Sequence, residues 1–178
     1  MKKVLISAFK PFNMATNNYS NEVLNHIYSS KYDLTKVIID VVYDECFKEL
    51  SKNNLDEYDL IVALGEARSR KVLTIEKNAF NIASCSIADN AGVLRKDTTI
   101  IDNGNELLET VLDLEKCKDY GEISFNPGKF VCNNLYYHLL NYNNNKSIFI
   151  HIPNCKDDEN LYRKYALDVL NIISILLE

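Results

Sequence analysis

Three short runs of almost uninterrupted apolar residues constrain this chain most: Val4 to Phe9, Leu60 to Leu64, and Ser147-Ile148-Phe149-Ile150-His151-Ile152. Runs of this length and composition read as strands buried within a sheet. Between them lie segments of helical spacing. Ser20 or Asn21 caps a helix to about Ile27, with Val23, Leu24 and Ile27 on one face, and Asp44–Ser51 reads as a short helix. Thr35–Val42 is a further β-rich run, and Lys71 to Ala83 reads as extended. Asn105–Leu112 reads as helical and is followed by a loop to Gly128; a last helix covers about Asp158–Leu177. Strands alternating with helices predict an α/β fold, a three-layer sandwich with a largely parallel, twisted central sheet flanked by helices. Ligands of such sheets bind beyond the carboxyl ends of the strands, so the loops after Phe9, Gly65 and His151 should share one rim.

The stretch Gly128-Lys129-Phe130-Val131-Cys132-Asn133-Asn134-Leu135 is the chemically suggestive one. A turn at Asn126-Pro127-Gly128 leads into a cysteine, and Leu135, Tyr136, Leu139 and Leu140 then recur at helical spacing. Cys132 should lie in or just before the first turn of a helix. The unpaired N–H groups and positive dipole end there favour a thiolate. His151 closes the third apolar run, so a strand end delivers an imidazole. Cysteine and histidine together are the parts of a thiol–imidazole nucleophile.

The 178 residues predict one domain, 1–178, large enough to bury a core without staples. The net charge of −5 and the lack of a basic stripe argue against nucleic acid or an anionic membrane as partner. The five cysteines, Cys46, Cys85, Cys117, Cys132 and Cys155, are scattered and show no zinc spacing, so no metal or cofactor is expected. Free thiols fit a reducing cytoplasm. The N-terminal run is too short for a signal peptide. Ala166 to Leu177 is twelve residues long, below the roughly 20 that cross a bilayer, and reads as a core-facing helix.

Three patches taken together resemble the pyroglutamyl peptidase I family, the pyrrolidone-carboxylate cysteine peptidases. The first is Phe9-Lys10-Pro11-Phe12 with Asn18; the second is Leu64-Gly65-Glu66-Ala67 with Arg70, Thr74, Glu76, Ala79-Phe80-Asn81 and Asp89-Asn90-Ala91-Gly92. The third is Asn126 to Asn133 with Phe149-Ile150-His151-Ile152-Pro153. Family patterns of this kind are G-F-x-P-F-G-G, L-G-Q-A-G-G-R-x-x-I-T-x-E-R-x-A-x-N, P-D-N-A-G, N-x-A-G-T-[FY]-V-C-N and F-[IL]-H-[VI]-P. The resemblance spans nearly the whole chain.

That resemblance implies a Cys132–His151–Glu76 triad and hydrolysis of the amide bond after an N-terminal pyroglutamyl residue. It also implies a lactam pocket walled by Phe9, Phe12, Phe130, Val131 and Ile87, with Asn18 and the backbone near Glu66 as polar contacts. A pyroglutamyl peptide is then the substrate. Members are often tetramers, and the apolar C-terminal helix offers an interface for such a homo-oligomer. The chain departs from the pattern at named positions: Asn13-Met14 replace a glycine pair, Glu66 a glutamine, Arg68-Ser69 a second glycine pair, and Ser86 an arginine. Leu94 to Gly121 is shorter than in typical members. These departures leave two other readings open: a cysteine amidase or esterase of shifted specificity, and a catalytically silent binding homologue. On residue type alone the other four cysteines read as core, Phe9 and Phe12 as core aromatics, and Glu66 as a rival to Glu76 for the imidazole.

Overall fold

A computed structural model describes all 178 residues. Eight strands and four helices follow one another. They are β1 (Lys3–Phe9), α1 (Tyr19–Asn25), β2 (Asp33–Ile39), α2 (Glu45–Ser51), β3 (Leu60–Glu66), β4 (Thr74–Glu76), β5 (Asn78–Phe80), β6 (Leu107–Glu109), β7 (Glu122–Ser124), α3 (Val131–Asn143), β8 (Ser147–Ile152) and α4 (Glu159–Leu176). The main sheet has the order β2-β1-β3-β8-β4-β7. Its first four strands run parallel, and β4 and β7 run the other way, so the sheet is largely parallel as expected.

The three apolar runs occupy the sheet centre as β1, β3 and β8, and each buries both faces. Val4, Ile6, Leu60, Val62, Ile148 and Ile150 pack under α1 and α4. Leu5, Phe9, Ile61, Ala63 and Phe149 pack under α2 and α3. Each such side chain contributes roughly 1.5–3 kcal/mol by leaving water, which is why the strands need no polar alternation. No helix is long and apolar enough to cross a membrane.

Four expectations are corrected. The cap of α1 is Asn18, whose Oδ1 accepts the Ser20 N–H at 3.0 Å, so the helix begins before Ser20. β3 does not stop at Gly65 but runs on to Glu66, because Gly65 and Glu66 stay in register with His151 and Ile152 of β8. Asn105–Leu112 is not helical: Leu107–Glu109 is β6, antiparallel to β5, and pairing overrides the helix-like spacing of its leucines. The stretch before Gly128 holds a short helical turn, Leu114–Cys117, and the edge strand β7, parallel to β4.

The loop after β1 carries a backbone feature with a sequence counterpart. Asn13 and Met14 have φ of 51° and 61°, the left-handed region where glycine is at ease, and they stand where the resembling pattern has a glycine pair. Met14 is fully exposed and gains nothing from packing. A left-handed non-glycine residue costs roughly 1–2 kcal/mol and glycine loses roughly 0.5–1 kcal/mol of chain entropy. Met14→Gly should therefore stabilise the fold by about 0.5–1 kcal/mol in urea unfolding; a destabilised variant would mean that the methionine has a stabilising contact.

Candidate active site

β3 and β8 bring their ends together at one rim. Gly65 and His151 are register partners and face the α3 side. A Cβ on Gly65 would lie 2.8 Å from Cys132 Sγ and 2.6 Å from Phe149 Cζ, so only glycine leaves room for thiol and ring there. Cys132 is the second residue of α3. Phe130 at the N-cap makes no side-chain capping bond, and the Asn134 N–H is bonded to the Phe130 carbonyl at 3.1 Å. The N–H groups of Val131, Cys132 and Asn133 thus belong to the uncapped first turn, beside the thiol. Asn133 fixes this turn laterally: its amide donates to the carbonyls of Phe80 and Ile82 and accepts the Phe80 N–H at 2.8 Å.

β4 supplies the third group. Its antiparallel pairing sets Thr74 opposite His151 and Glu76 opposite Phe149, so Glu76 is diagonal to the histidine on the same face. Glu76 Oε1 lies 2.7 Å from His151 Nδ1 and 2.6 Å from Arg70 Nη1. The Glu76 carbonyl accepts the Tyr136 hydroxyl at 2.8 Å, which ties β4 to α3. Burial works to raise the Glu76 pKa, but its hydrogen bond with His151 and the charges of His151 and Arg70 outweigh that and hold it below the ordinary value.

The same burial acts on the other two groups in the opposite sense to the sequence-based expectation. It lowers the His151 pKa against the pull of Glu76, and Arg70 adds to the lowering. It pushes the Cys132 thiol up to about 12, helped by the nearby charges of Glu76 and Glu66 and opposed by Arg70. A helix N-terminus offers only part of a charge, which does not offset burial beside two carboxylates. Burial thus works against charge on the thiol and on the imidazole alike.

Glu66 does not compete for the imidazole. Its side chain is 4% exposed and accepts the Tyr19 N–H at 2.7 Å and the Arg68 Nε–H at 2.7 Å. Arg68 also stacks on the Tyr19 ring at 4.5 Å. Phe12, Asn13, Ala15, Glu66 and Arg68 line a cavity of about 230 Å³ at this rim. Phe130 closes on Phe12 at 5.7 Å and meets Tyr43 edge-on at 5.6 Å. Phe9 and Val131 are buried beneath, in the core that Phe12, Phe130 and Cys132 cover. Asn18 is 2% exposed, and its side chain serves the fold: it caps α1 and donates to the Lys10 carbonyl at 3.1 Å. Ile87 is 38% exposed and lies outside this aromatic cluster, and Ser86 is exposed beside it. A larger cavity of about 670 Å³ lies along β5 and includes Lys129, but none of the three central residues lines it.

The family model described as Pyroglutamyl peptidase matches residues 2–161. The chain belongs to the pyroglutamyl peptidase family. It is 32% identical over 166 residues to a pyrrolidone-carboxylate peptidase of Thermosipho africanus, covering 85% of this chain and 81% of the relative. It is 33% identical to one of a Thermoanaerobacter species, covering 85% and 82%. The pyrrolidone carboxyl peptidase of Fervidobacterium islandicum superposes with a TM-score of 0.87 at 21% identity, over 99% of this chain and 98% of that one. Pyroglutamyl peptidase I of Bacillus amyloliquefaciens superposes at 0.85 and 23% identity, over 97% and 96%; at these identities the two structures speak to fold alone.

In this pyroglutamyl peptidase family member the structure unites Cys132, His151 and Glu76, gathers Phe9, Phe12, Phe130, Val131 and Glu66 on the neighbouring side, and leaves Ile87 apart. Sequence reasoning missed the parts that hold the site: Arg70, the space above Gly65 and the clamp of Asn133. Their signal was present, since all three lie within the resembling motifs, but none carries a chemical group that draws attention by type. Gly65→Ala should lower kcat/KM for a cleaved substrate by at least about 100-fold, because roughly 1 Å of misplacement at the nucleophile has that effect. The overpacking should also cost about 1–3 kcal/mol in chemical unfolding. A fully active, equally stable alanine variant would show that the thiol does not need this gap.

Proposed function

We propose that this chain hydrolyses the amide bond that follows an N-terminal pyroglutamyl residue, with Cys132 as nucleophile, His151 as proton carrier and Glu76 as the carboxylate that orients it. The observation that carries this reading is the 2.7 Å contact between His151 Nδ1 and Glu76, with the thiol packed over Gly65, the register partner of that histidine. Glu76 fixes Nδ1 as the donor and leaves Nε2 as the basic nitrogen. Nε2 takes the Sγ proton as sulfur attacks the pyroglutamyl carbonyl, and first-turn N–H groups of α3 stabilise the oxyanion. The imidazolium then protonates the leaving amine, and the C–N bond breaks to give a thioester on Cys132. His151 next deprotonates water, which attacks the thioester and releases pyroglutamate and the thiol.

The ring pocket in this reading is the cavity lined by Phe12, Glu66 and Arg68, where Phe130 packs on Phe12. Its Glu66 carboxylate is matched by Arg68, so the wall facing a flat, uncharged lactam holds a balanced pair. That balance favours the pyroglutamyl substrate over a shifted amidase or esterase specificity. All five cysteines are unpaired, which supports a reducing, cytoplasmic setting. The exposed Leu167 on α4 supports a homo-oligomer, dimer or tetramer, of this single domain.

A pyroglutamyl amide with a chromogenic leaving group tests the reading. The reduced protein should turn it over, and Cys132→Ala should not. Because the base must be neutral and its pKa is lowered, kcat/KM should stay level from pH 8 to about 6.5 and fall only below that, as His151 gains a proton. No turnover by the folded, reduced protein, or full activity of Cys132→Ala, would contradict the proposal.

A further inference from the structure

One guanidinium ties strand β4 to the turn ahead of α3, a segment far from it in the chain. Arg70 lies on the link from β3 to β4, with its side chain 21% exposed. Its Nη1 is 2.6 Å from Glu76 Oε1, the oxygen that also meets His151, and it donates to the Thr74 hydroxyl as well. Its Nη2 donates to the Asn126 carbonyl at 2.8 Å, in the turn that leads through Pro127 and Gly128 into α3. That turn is itself fixed, since the Gly128 N–H donates to Asn126 Oδ1 at 3.0 Å and Gly128 has a φ of 79°. The Arg70 backbone carbonyl accepts the Asn154 N–H at 3.4 Å, just beyond the end of β8.

We propose that Arg70 is a positioning residue of this active centre: the permanent counter-ion of Glu76 and the tie that holds this carboxylate to the turn ahead of Cys132. The inference rests on the roles given above to Cys132, His151 and Glu76. Glu76 is wholly buried, and its Oε2 has no hydrogen-bond partner. An ionised carboxylate in such a place needs a cation. His151 is not a lasting one, since in the proposed cycle its proton comes and goes and burial works against its charge. Arginine keeps its charge at every working pH, and its fork reaches two acceptors at once. Arg70 therefore keeps Glu76 ionised before the reaction starts, so that the carboxylate is in place when the imidazolium forms.

Arg70 also bears on the proton that His151 carries. The charged groups acting on the imidazole are Glu76 from β4 and Arg70 from the β3–β4 link; the Cys132 thiol of α3 lies over Gly65, the register partner of His151, and Glu66, next along β3, acts at that thiol. Glu66 is matched by Arg68. Glu76 favours the imidazolium and Arg70 opposes it, so the imidazolium gives its proton more readily to the leaving amine. A strut that merely braced the fold would leave that balance untouched.

The test compares Arg70→Gln and Arg70→Lys with the parent by NMR titration of the histidine rings and by pH profiles of kcat and KM on a pyroglutamyl amide. The chain has 3 histidines, so the His151 signal is separable. In Arg70→Gln the His151 midpoint should rise by about one pH unit, kcat should fall by roughly 10–100-fold, and KM should change little, because Arg70 does not line the ring pocket. Arg70→Lys should keep the midpoint near that of the parent and lose part of kcat, since a point charge cannot serve Glu76 and Asn126 together. An Arg70→Gln variant that is only less stable, with midpoint and kcat unchanged, would overturn the proposal. If that variant fails to fold, an Arg70→Lys variant with the parent's kcat overturns it instead. The titration needs no turnover. Should Cys132→Ala prove active, the catalytic reading falls while the midpoint shift still reports on the Arg70–Glu76–His151 unit.

Discussion

A carboxylate buried inside the protein has to be matched, and the match for Glu76 determines how this site is built. One oxygen of Glu76 receives both His151 and Arg70, at 2.7 and 2.6 Å. The residue sits on β4, one of two strands that run against the parallel part of the sheet. Antiparallel pairing with β8 puts Glu76 diagonal to His151, within side-chain reach, whereas a glutamate on a loop would have no such fixed register. Tyr136 then bonds the Glu76 backbone carbonyl, so helix α3 and strand β4 hold one another in place. The thiol, the imidazole and the carboxylate are carried on separate elements, with the imidazole bonded to the carboxylate and α3 tied to β4 through Tyr136.

Burial has a second consequence, for charge. It disfavours both the thiolate and the imidazolium, and the neighbouring carboxylates reinforce the effect at sulfur. The charge separation of the proposed reaction therefore arises during attack, where first-turn N–H groups and Glu76 meet it already oriented. In the proposed reading every carboxylate near the ring pocket has an arginine partner, Glu76 with Arg70 and Glu66 with Arg68, which suits an uncharged ring. The ion pair of Glu66 with Arg68 keeps to that rule, because two departures from the family pattern compensate one another in adjacent space.

Much of this was legible in the sequence. The three apolar runs were read as central strands because uninterrupted hydrophobic composition has few other uses in a protein of this size. Cys132 and His151 were legible as a pair because each stands inside a distinctive frame, at a helix start and a strand end. Glu76 was legible only through its motif: a lone glutamate in a short strand has no periodic signature. β6 and β7 were not legible, since three-residue strands are made by their pairing partners and not by their own propensity. The upward pull on the Cys132 pKa was not legible, because helix position is visible in a sequence and depth of burial is not. Arg70 escaped for a related reason, as an arginine on a connecting loop is by default a solvated charge until the fold shows a buried carboxylate beside it.

The central claim is that Cys132 carries the acyl group. Mixing the protein with an activated pyroglutamyl ester, quenching in acid within the first turnover and mapping the adduct by mass spectrometry tests it directly. The account predicts one pyroglutamyl group on the peptide that contains Cys132, and none on Cys46, Cys85, Cys117 or Cys155. An adduct on any of those four, or turnover with no covalent intermediate at all, would contradict it.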